Sequence, residues 1–483
     1  MRFFTVKPAS CIKGVITLKG DKSIACRSVI ISAIAPGETK IENFPSNKDC
    51  LYTVKVFQKL GIKITNDLNL NKESNAITVF GEGRYGLKKP TGPIFVGDSG
   101  TSLRLLLGVL AGQDFKVRLI AGKSLSQRPM RRVTLPLRLM GAHMYGRRAT
   151  GDGRREEYPP VVIKGGHLKP IVYRMPVASA QVKSAILLAG LYAKGITRVI
   201  EPIRTRDHTE RMLRLFKADI KVKHLPSSTE ATQSKGGLRR VVRRSLDGGG
   251  QNKIVIKGNR ELVSPKEVYI PGDISSGSFF IVLAAILPNS QIVIRNASIN
   301  PSRMGIIRVL KRMGANIKIN PSTKLRVDGE RSRTIKNYEP MGDIMVKSSS
   351  LKGATVKKEE IPSLIDELPI LMVAACNAKG KSIFEGVSEL RVKETDRIKS
   401  MSENLKKMGA DIEVVKINSR EKIIIKGAKE LRGTRVRSFG DHRTAMCMVV
   451  AGLKAKGRTL IDDIACIHKS FPDFLSILRT HIQ

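Results

Sequence analysis

The chain has 483 residues, enough for two domains with their own cores, and its 41% hydrophobic and 27% charged content is ordinary for a globular protein. Its balance of 86 Lys and Arg against 42 Asp and Glu is not: a net charge of +44 favours an anionic partner, whether nucleic acid, a membrane surface or small phosphorylated molecules. Six scattered cysteines, with no C-x-x-C and no clustered histidines, argue against a disulfide scaffold or a structural zinc site, and no run reaches the ~18 apolar residues of a membrane span.

From the start, MRFFTVKPAS has no apolar signal-peptide core and runs straight into a strand-like pattern, so a cytoplasmic protein is expected. Beyond it, one unit recurs six times. An apolar helix, a short turn and a β-branched strand read in order through ISAIAPGETKIENF, GVLAGQDFKVRLIAG, LAGLYAKGITRVIEP, LAAILPNSQIVIRNA, AACNAKGKSIFEGV and AGLKAKGRTLIDDI. A second element follows in five copies, FQKLGIKIT, LRLMGAHM, LRLFKADIKV, LKRMGANIKI and LKKMGADIEV, and ends with LSILRTHIQ at the C-terminus. It reads as an amphipathic helix, a glycine cap in most copies, and an alternating strand. Roughly 75–95 residues per unit is too long for a solenoid and suggests six α/β modules grouped three plus three. The Ser-, Gly-, Arg- and Lys-rich stretch at about 225–253 reads as a mobile basic loop inserted late in the third module.

The residues before the apolar helices are KGDKS, GDSGTS, PVASAQ, PGDIS, IPSLIDE and GDHRT. Helix N-termini attract anions, glycine lets a ligand approach the backbone, and Ser, Thr or Asp caps the helix. Capping alone does not call for Lys22, Arg27, Arg104, Gln181, His442 or Arg443 in the first turns, because a cation there opposes the helix dipole. Three such starts per domain, aimed at a shared centre, would form an electropositive cleft for a phosphorylated or carboxylated small substrate. Four more segments fit that cleft. AGKSLSQRPMRRV carries Arg128, Arg131 and Arg132, and EPIRTRDHTERML carries Arg204, Arg206 and Asp207. SELRVKETDRIKSM carries Arg391, Lys393, Glu394, Asp396 and Arg397, and CIHKSFPDFL carries Lys469. Each alone would be an ordinary solvated face.

In register, GDKSIACR, GDSGTSLR, QRPMRR, VASAQVKSA, TRDHTERM, IDELPIL, LRVKETDR, GDHRTAM and KSFPDF resemble the 5-enolpyruvylshikimate-3-phosphate synthase family from about residue 5 to 475. The resemblance implies a two-domain inside-out α/β barrel of six βαβαββ repeats, three per domain. Residues 1–19 with 272–483 would form the first domain and 20–271 the second, with crossings near Gly20 and Gly272. It implies transfer of the enolpyruvyl group of phosphoenolpyruvate to the 5-hydroxyl of shikimate 3-phosphate, with no metal or organic cofactor; a monomer is expected.

By the family's pattern Lys22, Arg128, Arg397, Arg443, Lys469 and the Gly100 backbone hold phosphoenolpyruvate. Lys22, Ser23, Arg27, Ser179, Gln181, Arg206 and Lys393 hold shikimate 3-phosphate. Asp366 contacts the reacting hydroxyl and shares proton transfers with Glu394, assisted by Lys22, His442 and Lys469. Some positions depart from the pattern: Ala25 and Cys26 replace a serine followed by His or Asn, Ala180 a second serine, and Glu389 a common asparagine. Asp98 replaces a usual asparagine, placing an extra carboxylate where a trianionic substrate should bind. Gly100 keeps the glycine that accompanies glyphosate sensitivity, so inhibition by millimolar glyphosate is expected.

UDP-N-acetylglucosamine enolpyruvyl transferase, of the same fold, would call for a reactive cysteine near residues 110–130, and none is there. A nucleic-acid binder is the other reading of +44, but aromatics are only 5% with no Trp, and no RNA-binding motif is present, so no specific nucleic-acid partner is expected.

Overall fold

The structure is a computed structural model that describes residues 3–67, 75–148, 156–225, 251–322, 324–325, 333–334, 339–417, 420–427 and 430–483. The inserted loop read from the sequence falls largely outside these residues. Its ends are strand instead, since Leu225 closes the strand Ile220–Leu225 and Gln251 opens Gln251–Lys257.

Six inner helices carry the fold: Lys22–Ala33, Gly100–Leu110, Ala180–Gly190, Ile274–Ile286, Leu368–Cys376 and His442–Lys454. Helices apolar on nearly every side must be enclosed on every side. Accordingly, all nine residues of Leu368–Cys376 and all eleven of Gly100–Leu110 are buried. Five inner helices are capped by the side chain just before them: Asp21, Ser99, Ser179, Asp273 and Asp441 each accept a first-turn N–H. The fifth in chain order, Leu368–Cys376, has no side-chain cap and begins with a proline in its first turn.

Outer helices are amphipathic, and all but the last, Phe474–His481, leave by a left-handed residue. Gly61, Gly141, Gly314 and Gly409 take positive φ at these turns, and in the third unit Lys217 adopts φ 63° in place of glycine. In the second, third and fifth units the two strands that flank the inner helix run parallel, and an antiparallel return follows. In the second unit, for example, Ile94–Phe95 runs parallel to Lys116–Ile120, which pairs antiparallel with Glu157–Lys164, itself antiparallel to His143–Arg148.

Three sheets borrow a strand from far along the chain. Glu267–Tyr269 runs parallel to Gly37–Glu42, Lys13–Thr17 parallel to Gln291–Ser298, and Phe4–Val6 antiparallel to Thr459–Ile461. Buried apolar side chains form two clusters, one from Val6–Leu18 and Ile274–Leu478, the other from Ile24–Ile270. The chain passes between them twice at one place. Gly20 bridges Gly272, Asp21 N–H donates to Pro271 C=O at 2.9 Å, and Asp273 N–H to Lys19 C=O at 3.1 Å.

Candidate active site

The helix starts and three of the four basic segments, all but CIHKSFPDFL, open onto one cavity of about 430 Å3, lined from both halves of the chain. From the stretch that forms the second cluster come Lys22, Ser23, Gly100, Arg128, Ser179, Gln181 and Arg206; from the C-terminal stretch of the first come Asp366, Lys393, Glu394, Arg397, His442 and Arg443. Two of the fifteen residues assigned from sequence do not line it, Arg27 and Lys469. Arg27 lies 3% exposed on the first inner helix, its guanidinium donating to Thr209 Oγ1 at 2.7 Å, Ser184 Oγ at 3.1 Å and Ser23 C=O at 2.8 Å. Its fork is filled by neighbouring hydroxyls that join three helices. Lys469 ends the short turn Ala465–Lys469, ahead of Phe471, whose ring packs against Phe280 and Phe474.

Carboxylates and guanidiniums meet across the cleft. Arg206 pairs with Asp366, Arg128 with Glu394 at 3.4 Å, and Arg132 with Glu389 at 3.3 Å. Arg397, 1% exposed, is shared by Asp441 at 2.9 Å, Glu394 at 2.5 Å and Asp366 at 3.7 Å. Arg443 donates to the Asp366 carbonyl at 2.9 Å. These contacts fix which protons the site can use. Burial pushes the Asp366 carboxyl up, but Arg206, Arg443, Lys393 and Arg397 together hold it well below the usual carboxylate range. Glu394 behaves alike: burial raises it, and Arg397, Arg128, His442 and Lys22 more than offset that. Both are ionised at neutral pH, so either can accept a proton.

Burial, with Arg443 and Arg397 adding to it against Asp441 and Glu394, pushes His442 down to about 3. Its imidazole is therefore neutral, and it carries no proton to give as a cation. Burial also lowers Lys393, to about 8 despite Asp366 nearby, with Arg128 and Arg397 contributing. Lys22 goes the other way: burial lowers it, but Asp49, 3.0 Å away, and Glu394 raise it above the usual lysine range.

Several contributors were not legible as such in the sequence. Asp49 sits in the first turn of the outer helix Lys48–Lys59, and only the fold brings it to Lys22. Arg303, 2% exposed, lies beside both passages of the chain between the two buried clusters, 3.5 Å from Asp21 and from Asp273 and 3.7 Å from Glu367. Lys183 of the VASAQVKSA stretch is fully buried between Glu210 at 2.7 Å and Glu201 at 3.2 Å. Glu201 also accepts the Thr205 hydroxyl at 2.7 Å, tying down the loop that presents Arg206. Asp98 lines the cavity, yet its Oδ1 is engaged: it accepts the N–H groups of Ser124 and Leu125, both at 3.0 Å, and so holds the turn leading to Arg128. A Cβ on Gly122 would lie 2.5 Å from that oxygen, which explains the glycine.

Six α/β units enclosing a cleft of helix starts, guanidiniums and two ionised carboxylates define an enzyme acting on small polyanions. The family model for EPSP synthase (3-phosphoshikimate 1-carboxyvinyltransferase) matches residues 6–243 and 244–478. The 3-phosphoshikimate 1-carboxyvinyltransferase of Geobacillus thermodenitrificans is 43% identical over 473 residues, covering 98% of this chain and 97% of that protein. That of Desulforamulus reducens is 42% identical over 474 residues and 98% of each chain. Among solved structures, an Acinetobacter baumannii EPSP synthase superposes with a TM-score of 0.78 at 38% identity, covering 100% of this chain and 98% of that one. The enolpyruvyl transferase NikO of Streptomyces tendae, at TM-score 0.70 and 15% identity, shares the fold. The chain belongs to the EPSP synthase family, and its fold is the two-domain inside-out α/β barrel of enolpyruvyl transferases.

Proposed function

We propose that this cleft performs the family's reaction, with the residue roles that follow. Phosphoenolpyruvate and shikimate 3-phosphate are its substrates. Phosphoenolpyruvate lies against Lys22, the Gly100 backbone, Arg128, Arg397 and Arg443, with Lys469 assigned by resemblance alone. Shikimate 3-phosphate lies against Ser23, Ser179, Gln181, Arg206 and Lys393. Arg27 supports the first helix start from behind, through its bond to the Ser23 carbonyl.

The 5-hydroxyl oxygen adds to C2 of phosphoenolpyruvate while its proton passes to one carboxylate and from that carboxyl group on to C3. The tetrahedral intermediate then returns a C3 proton to a carboxylate as the C2–O bond to the phosphate breaks and phosphate leaves with the bonding pair, giving the enolpyruvyl ether. Asp366 and Glu394 are the proton carriers in this reading, because each is ionised and held by Arg397 at the centre of the cleft. The surrounding guanidiniums stabilise charge on the intermediate and on the departing phosphate. An incoming phosphate competes with Asp366 for Arg206, which would free the carboxylate as substrate binds.

The observation that carries the proposal is the convergence of thirteen assigned residues, from motifs spread between positions 22 and 443, on one cavity. Residues 1–19 with 272–483, and 20–271, are read as two domains, in support of which the buried apolar clusters divide at the Gly20–Gly272 bridge. The protein acts as a monomer in this account, since every assigned group lies on one chain. A cytoplasmic location fits its six buried, unpaired cysteines. No helix among the described residues is long and apolar enough to cross a membrane.

Phosphate release from the purified protein, with each substrate omitted in turn, tests the reading. Release that requires both shikimate 3-phosphate and phosphoenolpyruvate is the expected result; release supported by UDP-N-acetylglucosamine instead would overturn the acceptor while leaving the fold intact.

A further inference from the structure

Arg104 lines the same cavity and has no role in the assignment above. It lies one turn into the helix Gly100–Leu110 and is 3% exposed. All of its acceptors are uncharged: Nη1 donates to Gln181 Oε1 at 2.6 Å and to Gly100 C=O at 3.5 Å, and Nη2 to Pro129 C=O at 3.3 Å. Its Nε is buried without an acceptor. Among the described residues no carboxylate forms an ion pair with it, whereas Arg128, Arg132, Arg206 and Arg397 each have one.

A like charge lies beside it. A Cβ on Gly100 would lie 2.7 Å from Arg104 Nη1 and 3.1 Å from Arg128 Nη1, so the two guanidiniums flank the same glycine. Burial, reinforced by Arg128 and Arg132 and only partly offset by Glu394 and Glu389, drives Arg104 well below the usual arginine range. A buried, unpaired cation beside another cation weakens the folded state, so stability does not account for it.

We propose that Arg104 is a positioning residue for phosphoenolpyruvate: its unneutralised charge is balanced by the bound anion, and its hydrogen bond sets the Gln181 amide. With Oε1 held by Arg104, Gln181 Nε2 donates to Thr101 Oγ1 at 2.9 Å; a flipped amide would face its NH2 to the guanidinium, donor against donor. The inference rests on the reading of this cleft as the phosphoenolpyruvate site.

The test compares wild type with R104M and R104K, measuring Tm without substrate, and KM for phosphoenolpyruvate and kcat by phosphate release. In R104M, KM should rise about tenfold or more, with a smaller change in kcat, while Tm holds or increases. An unchanged KM overturns the proposal whatever the Tm. If KM rises and Tm falls together, R104K decides: recovery of KM towards wild type supports a role for the charge, and no recovery overturns it. A wild-type protein that releases no phosphate brings down the cleft reading and this inference with it. A wild type that turns over beside an R104M that keeps its KM removes this inference alone.

Discussion

Lys393 offers the sharpest check on the electrostatics of the cleft. Burial, aided by Arg128 and Arg397, brings its ammonium down to about 8 although Asp366 pulls the other way. A cation with a lowered pKa is present below that value and lost above it. The free protein therefore has Lys393 about nine-tenths charged at pH 7, about half at pH 8 and about one-tenth at pH 9. A phosphate monoester has its second pKa near ~6, so shikimate 3-phosphate is dianionic across this range. Its capture should then follow Lys393 alone: kcat/KM for shikimate 3-phosphate, which reports the free protein, should fall about tenfold per pH unit above about 8. Saturating kcat should hold to higher pH, because a bound phosphate stabilises the ammonium. K393R stays charged throughout and should lack the alkaline limb, whatever its absolute rate. Phosphate release between pH 6 and 10 reads both. A wild-type profile flat to pH 10, or the same limb in K393R, refutes the argument.

Two further substitutions probe the supports behind the ligands. Lys183→Met leaves Glu201 and Glu210 buried without their cation and should lower stability by about 3–5 kcal/mol in urea unfolding. Adding Glu210→Gln should restore part of that loss, and no restoration would refute the pairing. Asp98→Ala removes the acceptor of the Ser124 and Leu125 N–H groups, a loss of about 1–3 kcal/mol, and should raise KM for phosphoenolpyruvate by loosening the turn that leads to Arg128. Asp98→Asn keeps the acceptor and removes a negative charge, so its KM should match or fall below wild type. Equal values in all three proteins would show that the turn does not depend on this side chain.

The repeat was legible because each unit breaks the usual amphipathic pattern in the same way. A helix such as Leu368–Cys376, apolar on every face, can only be enclosed, and the left-handed glycines after the outer helices mark their ends. The helix starts were legible because Lys22, His442 and Arg443 sit against the dipole, a local conflict that a binding site explains. Pairings set by tertiary structure were not. Nothing near Lys13–Thr17 announces that it will lie beside Gln291–Ser298, because strand pairing leaves no local mark when the partner is far away. Arg27 illustrates the same limit within the site. In sequence it is one more first-turn cation beside Lys22, yet the hydroxyls of Ser184 and Thr209, brought in by other helices, absorb its donors.

The net charge can be weighed against the site it first suggested. Ten basic and seven acidic side chains line the cleft, which leaves +3 there out of the chain's +44. The cleft is therefore not the place where the excess charge is concentrated. Most of its cations already face a carboxylate, as Lys22 faces Asp49 and Arg206 faces Asp366. Charges on the outer surface are screened within about 8–10 Å at ordinary ionic strength, so they contribute little inside the cleft beyond steering at low salt. What draws an anion there is the small number of buried cations without a carboxylate of their own, Arg104 above all. A surplus of about three charges in a cavity of about 430 Å3 suits a substrate such as phosphoenolpyruvate far better than a polymer, and this local excess, rather than the total, is what makes the site selective for small anions.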